Sequence, residues 1–446
     1  MNEQALIQAL TNLPDNAPEA LVGTIFMPPF LEALGFSTTE IFPQFNTGLG
    51  SERVDYALRH NKNDNDIFLH TQSNPQILIE IKGKDWNLAE GSNNYKSTVK
   101  QLKGYLLSPN CKSVQWGIIT NSLHIQLFRK HDKVIYPASL CMEINQNNVN
   151  EIAKQIRQKI ATTPRALTVT IYNNKGGVGK TTTTINLAAI LTLLGKKVLT
   201  VDFDPNQKDL TTALNAQIQK STLYSVLEDR NNLVSIKDAF YPYTVEFKTL
   251  KKSVSFDILP CDDQFLDQSE VQLKQNFKLY RLRQVLDRIK YDYDYILIDA
   301  PPNWRFFSQS ALTAADVVLI PTKHNNLFSL ENAAKAIKEF ISEIQQIKKD
   351  GSPIALPIFW NGEKITESAK TTALEAINDI INQHKKDKNQ PFDLTPYFFP
   401  HKNNHIFEIP SYANIANATF SRIPAVYKDK TARDYYLALA KEYFVQ

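Results

Sequence analysis

None of the 446 residues falls in a run of 18 apolar side chains, so no segment is expected to cross a bilayer as a helix. The first residues lack a basic-then-apolar signal pattern, and no membrane association is expected. Cysteine is scarce. Cys111, Cys141 and Cys261 lie far apart with no paired spacing, which argues against a disulfide framework or a cysteine zinc site and fits a reducing cytoplasm. The same scarcity leaves no cysteine pair for an iron–sulfur centre. His60, His70, His124 and His131 show no zinc-ligand spacing, and no internal repeat is evident. Charge of one sign is also lacking. Residues 1–160 carry 15 Lys/Arg and 15 Asp/Glu, and the rest carry 35 and 31. The whole surplus sits in the second part, so local basic clusters matter more than net charge.

What is present is an ordinary globular composition, 43% hydrophobic and 22% charged, long enough for about two to four domains. Residues 1–150 read as a mixed α/β module. Helices are expected at 19–34, kinked near Pro28-Pro29, at 95–107 and at 148–160. Strands are expected at 54–59, 76–82, 113–120 and 124–129. Residues 151–165 read as a helical connection and linker. From Ala166 onward, apolar strands recur at 167–171, 197–201, 255–259, 295–298, 317–320 and 354–359. Helical runs separate most of them, which predicts a mainly parallel sheet covered by helices.

The strongest motif is Lys175-Gly176-Gly177-Val178-Gly179-Lys180-Thr181-Thr182. It joins an apolar strand to a helix, the setting in which backbone N–H groups cradle phosphate. Lys180 is placed to reach the β/γ-phosphates, and Thr181 to ligand Mg²⁺. The extra lysine, Lys175, points to a site completed by a second subunit. Two further strands end in carboxylates, at Asp202-Phe203-Asp204-Pro205 and Asp299-Ala300-Pro301-Pro302. Asp204 is assigned to orient the attacking water or hold a metal-bound water. Asp299 is assigned to Mg²⁺ through water and to sensing the γ-phosphate. No Asn/Thr-Lys-x-Asp guanine motif follows these strands, which favours ATP.

These motifs resemble the ParA/MinD family of deviant Walker-A ATPases, more closely its ParA branch. The likeness runs on through Ala315-Asp316, Ile320-Pro321-Thr322, Asn326–Glu331 and the final helix at 432–444. The resemblance implies a P-loop NTPase fold over residues 166–446 and an ATP-sandwich homodimer in which Lys175 contacts phosphate in the partner. It implies non-specific, salt-sensitive DNA binding and release when a partner or adaptor protein stimulates hydrolysis. Such a protein would be cytoplasmic and associated with nucleoid or plasmid. Many members have Asp-Pro-Gln-Gly where this chain has Asp204-Pro205-Asn206-Gln207-Lys208. Segment 360–410 departs from the family pattern, so the DNA face is sought at Arg422, Lys428, Lys430 and Arg433. No amphipathic membrane-targeting tail of the MinD kind is present.

The first module carries a second chemistry. Period-two alternation puts Glu80 and Lys82 on one strand face, and Asp55 on a neighbouring strand completes the cluster. Two carboxylates suit Mg²⁺ or Mn²⁺, and a lysine suits water activation in phosphodiester hydrolysis. The ordered set Glu19, Asp55, Glu80, Lys82, Gln101 and Tyr105 resembles the PD-(D/E)xK nuclease superfamily, especially the nuclease modules of type I restriction motor subunits. The resemblance implies a restriction-endonuclease-like mixed sheet and metal-dependent DNA cleavage. Val54 stands where the usual proline would be. Lys84 and Lys103 are placed near substrate phosphates. The whole is read as an ATP-dimerised, DNA-binding ATPase whose cycle controls a nuclease domain. The alternative is a partitioning or positioning ATPase whose first module binds DNA or an adaptor without cutting.

Overall fold

The computed structural model describes residues 3–247, 252–363, 366–400 and 405–446. The chain divides into two compact units, with the main division between Thr163 and Pro164.

The first unit is built on one mixed sheet. Its strands are β1 (Ile41–Asn46), β2 (Arg53–Leu58), β3 (Ile77–Ile81), β4 (Trp116–Thr120), β5 (His124–His131), β6 (Val134–Pro137) and β7 (Met142–Glu143). They lie in sequence order from β1 to β6, with β7 pairing β5. Only the β3–β4 pair is parallel. A parallel pair needs a crossover, supplied by the helix Asn93–Leu106, whose start is capped by Ser92 accepting from Tyr95 N. β3 reads Ile-Leu-Ile-Glu-Ile and is buried along its whole length, as expected of a central strand covered on both faces. One face packs on Leu102, Tyr105 and Leu106 of the crossover helix. The other packs on Phe26, Phe30, Ile152 and Ile156.

The expected kink at Pro28-Pro29 takes a specific form. The segment starts as a helix at Glu19–Leu21, widens into a π turn over Val22–Phe26, and resumes over Met27–Ala33. Two adjacent prolines have no N–H to donate, and a π turn is one way a helix accommodates such a gap. The helix expected as a connector is instead part of this unit. It spans Val149–Ala161 and buries Val149, Ile152, Ala153 and Ile156, one face at i, i+3, i+4 and i+7 spacing. Ile156→Ala is expected to cost roughly 2–5 kcal/mol, seen as faster hydrogen exchange at β3 and β4 in the intact chain.

The second unit holds two sheets. Its strands are β8 (Leu167–Ile171), β9 (Val198–Asp202), β10 (Tyr241–Phe247), β11 (Lys252–Leu259), β12 (Tyr295–Asp299), β13 (Val317–Leu319), β14 (Pro321–Thr322), β15 (Ile354–Ala355), β16 (Phe359–Glu363) and β17 (Glu408–Pro410). The large sheet has the order β10-β11-β9-β12-β8-β13-β15. All its pairings are parallel except β10 with β11. The strand β10 is absent from those expected, although its residues alternate with period two; it pairs antiparallel with β11, so the sheet is mixed. The small sheet, β14-β16-β17, is parallel throughout. The strand expected over 354–359 is corrected to two strands in different sheets. Pro357 lies between them, and a proline cannot donate to a ladder. A second crossing between the sheets occurs at Ile320, between β13 and β14.

Candidate functional site

β8, β12 and β9 are neighbours, and the site forms where they end. Parallel strands point their carboxyl ends the same way, so the loops after all three converge at a position where the strand order reverses. β8 is buried throughout. Beyond it, Asn173 donates its amide to Pro321 O at 2.9 Å and Ser329 O at 3.1 Å, fixing the start of the loop. Gly177 and Gly179 take φ of 74° and 83°, a region that favours glycine. Gly179 is also the N-cap of the helix Lys180–Leu193, whose free N–H groups suit an anion. A Cβ at Gly179 would overlap the amide of Asn361.

Lys180 is buried, and its ammonium donates to Lys175 O at 3.1 Å. Burial lowers its proton affinity, against the opposing charges of Asp299, Asp204 and Asp209. Thr181 Oγ1 donates to Asp299 Oδ2 at 2.6 Å. Asp299 Oδ1 is buried with no hydrogen-bond partner. Burial, then the charge of Asp202, holds the Asp299 carboxyl well above the usual carboxylate range. A buried carboxylate oxygen without a partner, beside a threonine hydroxyl, fits a hydrated Mg²⁺, an ion that takes few protein ligands and keeps several waters. Thr181 and Asp299 are the residues that would hold it.

Asp204 Oδ1 accepts from Asn206 N at 3.2 Å and Gln207 N at 3.3 Å, and burial raises its pKa. Asp202 has a different task. Its Oδ2 accepts from Thr211 N at 2.8 Å and Thr211 Oγ1 at 2.7 Å. Burial pushes its carboxyl up to about 6. It ties the end of β9 to the helix Asp209–Ala213. Lys208, in the stretch that departs from the family pattern, adopts φ 47° and pairs with Asp263.

Lys175 is half-buried, with its ammonium 6.0 Å from the ring centroid of Phe328. Phe328 is 64% exposed and Leu327 is 48% exposed. Gly176 is exposed, Val178 is buried, and Thr182 lines a cavity of about 270 Å³ beside the loop. Lys323, Asn361, Pro410 and Ile415 line the same cavity. Sequence reasoning missed Asn361, which donates to Val178 O at 2.9 Å and Thr183 Oγ1 at 3.3 Å. Nothing in the spacing around Phe359-Trp360 marks it.

In the first unit the structure brings Glu19, Glu80 and Lys82 together. Lys82 Nζ lies 2.5 Å from Glu80 Oε1 and 3.6 Å from Glu19 Oε2. Asp55 is spoken for on both oxygens, by Ile81 N at 2.8 Å and Gln44 Nε2 at 3.0 Å. Gln101 donates to Tyr105 OH at 2.8 Å. Among the described residues, no set of three or more His, Cys, Asp and Glu side chains is grouped to hold a metal ion.

Glu80 is pushed up to about 7, by burial first and then by Asp55, with Lys82 opposing. A raised carboxyl favours the folded state while protonated. Its contribution declines as pH rises from about 4.5 through about 7. Glu80→Gln is expected to raise the melting temperature at pH 8 relative to wild type and to give no such gain at pH 5.

The two lysines assigned to phosphate contacts in this unit differ in their surroundings. Lys84 Nζ donates to Leu13 O at 3.3 Å. Lys103 is half-buried, and burial lowers its proton affinity. In the second unit Arg422, Lys428 and Lys430 are exposed, while Arg433 donates Nε to Val426 O at 3.1 Å.

Comparison with known proteins places this geometry. A family described as an AAA domain matches residues 166–354, nearly all of them in the second unit. The chain is 30% identical over 281 residues to the sporulation initiation inhibitor protein Soj of Bacillus subtilis, covering 61% of this chain and 96% of that protein. It is 36% identical over 173 residues to the chromosome partitioning protein ParA of Caulobacter vibrioides, covering 38% of this chain and 60% of that one. A solved ATP complex of McdA from Cyanothece aligns at 20% identity with a TM-score of 0.45, covering 64% of this chain and 100% of that one. Among the described residues, no helix is long and apolar enough to cross a membrane.

Proposed function

The chain belongs to the ParA/MinD family of P-loop ATPases, and from that premise we propose that it is an ATP-dependent partitioning or positioning ATPase. On this reading it is cytoplasmic, associated with nucleoid or plasmid, and uses ATP and Mg²⁺. It dimerises on ATP, binds DNA without sequence preference and lets go after hydrolysis, stimulated by a partner protein. The first unit serves as a non-cleaving module that binds DNA or an adaptor.

The observation that carries the proposal is the Thr181–Asp299 pair, with its one unsatisfied carboxylate oxygen, at the mouth of the loop. The glycine loop and the helix N-terminus bind phosphate through backbone N–H groups. Lys180 gives up its contact with Lys175 O to neutralise phosphate charge. Asp204 orients the attacking water. Lys175 reaches the partner subunit's nucleotide, and the cavity lined by Asn361 and Pro410 takes base and ribose. Bound Mg²⁺ supplies charge neutralisation at the β/γ-phosphates. Exposed Arg422, Lys428 and Lys430 take DNA phosphates.

The test is hydrolysis of ATP by the purified chain, with and without DNA, alongside sedimentation with a non-hydrolysable analogue. Nucleotide-dependent dimers and measurable phosphate release are expected. A chain that neither binds nor hydrolyses ATP would end the proposal.

A second reading, metal-dependent DNA cleavage by the first unit under control of the ATPase, is favoured by one observation. Glu19, Glu80 and Lys82 converge at the end of β3. Supercoiled and linear DNA would be incubated with Mg²⁺ or Mn²⁺, with and without ATP. Cutting that disappears in Asp55→Ala and Glu80→Ala would establish this reading. Intact DNA throughout, with ATP-dependent binding retained, leaves the first reading standing alone.

A further inference from the structure

We propose that Phe420 is a wedge that enters a base step of duplex DNA while Arg422 and Lys428 take flanking phosphates. This rests on the DNA-binding reading above and adds the mode of contact. Phe420 is 89% exposed, the most exposed large apolar side chain among the described residues. Its surroundings suit a polyanion. Residues 409–428 contain no Asp or Glu. The next acid, Asp429, is consumed internally: it accepts from Tyr412 OH at 2.9 Å, Asn414 Nδ2 at 2.8 Å and Ala432 N at 2.9 Å. Among the described residues, no ion pair engages Arg422 or Lys428, and both are exposed. Ser411, Asn417 and Thr419 are exposed as well, supplying the small hydrogen-bonding side chains that contact phosphate and sugar.

The aromatic ring is also held on an ordered turn. The helix Ala413–Asn417 runs into a 3₁₀ turn over Ala418–Ser421, which ends at Arg422 with φ 55°. Tyr243 OH donates to Arg422 O at 2.9 Å and anchors that end. A ring on an ordered turn loses little further freedom on insertion. Apolar side chains used this way unstack a base step and unwind or kink the duplex. The same segment turns Pro410, Tyr412 and Ile415 toward the nucleotide cavity.

The test uses the full chain with ATP and Mg²⁺ on a short duplex at several salt concentrations. Phe420→Ala is expected to weaken binding about tenfold or more at every salt, leaving the slope of log K against log salt unchanged. Arg422→Ala is expected to reduce that slope by about one. The wild type is expected to unwind closed circular DNA in a topoisomerase relaxation assay, and Phe420→Ala to lose that effect. The melting temperature and circular dichroism spectrum of Phe420→Ala, matching those of the wild type, report an intact fold. Equal affinity and equal unwinding by Phe420→Ala and wild type overturn the wedge while leaving phosphate binding in place. A wild type that binds no duplex overturns the wedge and the DNA reading together.

Discussion

Lys180→Ala is expected to lower kcat for ATP hydrolysis by about 10²–10³-fold, the usual cost of removing one preorganised charge-stabilising donor. The residue is buried beside Asp299, Asp204 and Asp209, at the first turn of the helix that follows the glycine loop. Lys175→Ala is expected to be comparably inactive for a different reason. Its ammonium lies half-buried over Phe328 at the rim, and the proposed target lies in the partner subunit. Mixing separates the two roles. A heterodimer of Lys175→Ala and Lys180→Ala protomers contains one site with both lysines intact if Lys175 acts across the interface. Equal mixing then restores about a quarter of the wild-type rate by random pairing of protomers in a two-fold dimer. If Lys175 acts within its own subunit, every site lacks one lysine and no activity returns.

Gly179→Ala is expected to weaken ATP binding at least about thirtyfold, with melting temperature only modestly reduced. Two costs add. The backbone sits at φ 83°, where a non-glycine residue costs about 1–3 kcal/mol. The new methyl group would overlap Asn361 Nδ2, and relieving such overpacking costs a further 1–3 kcal/mol or so. The loop relieves both by moving, which spoils the phosphate cradle. Titration calorimetry with ATP measures the loss. Asn361→Ala combined with Gly179→Ala removes the overlap but not the strained φ, so it should recover part of the affinity. Full affinity in Gly179→Ala alone would show that the loop is not held in this conformation when nucleotide binds.

The parts of this molecule that were legible in the sequence are those whose chemistry is local. The Lys175–Thr182 loop, the carboxylates at the ends of β9 and β12, and the parallel core strands each announce themselves within a few residues. Asn361 does not, because its role depends on β16 bringing it to Val178 from far along the chain. The strand at 354–359 was misjudged because a continuous apolar run hides the break at Pro357, which separates two sheets. The edge pair β10–β11 is only half legible in the expected strands: β11 is among them, while β10 is not, although Tyr-Pro-Tyr-Thr-Val-Glu-Phe alternates with period two and exposes one face. In the first unit the alternation around Glu80 and Lys82 was read correctly as one face. The hydrogen bonds that occupy Asp55 come from Gln44 and from Ile81 N, neither of which spacing reveals.

The small parallel sheet sets a timetable for synthesis. Its strands β14, β16 and β17 begin at residues 321, 359 and 408, so its pairings are non-local and late to form. The phosphate loop at 175–182 leans on residues made after it: β8 pairs with β12 and β13, Asn173 donates to Pro321 O and Ser329 O, and Asn361 donates to Val178 O. In a nascent chain emerging from the ribosome these supports arrive in order, and β17 comes last, supplying Ile409 and Pro410 to the cavity. Until then, the cavity wall is missing, and a chain truncated before residue 405 should select poorly for the base. On the proposed reading, selection of the base therefore waits for residues 408–410, far along the chain from the loop that holds the phosphates.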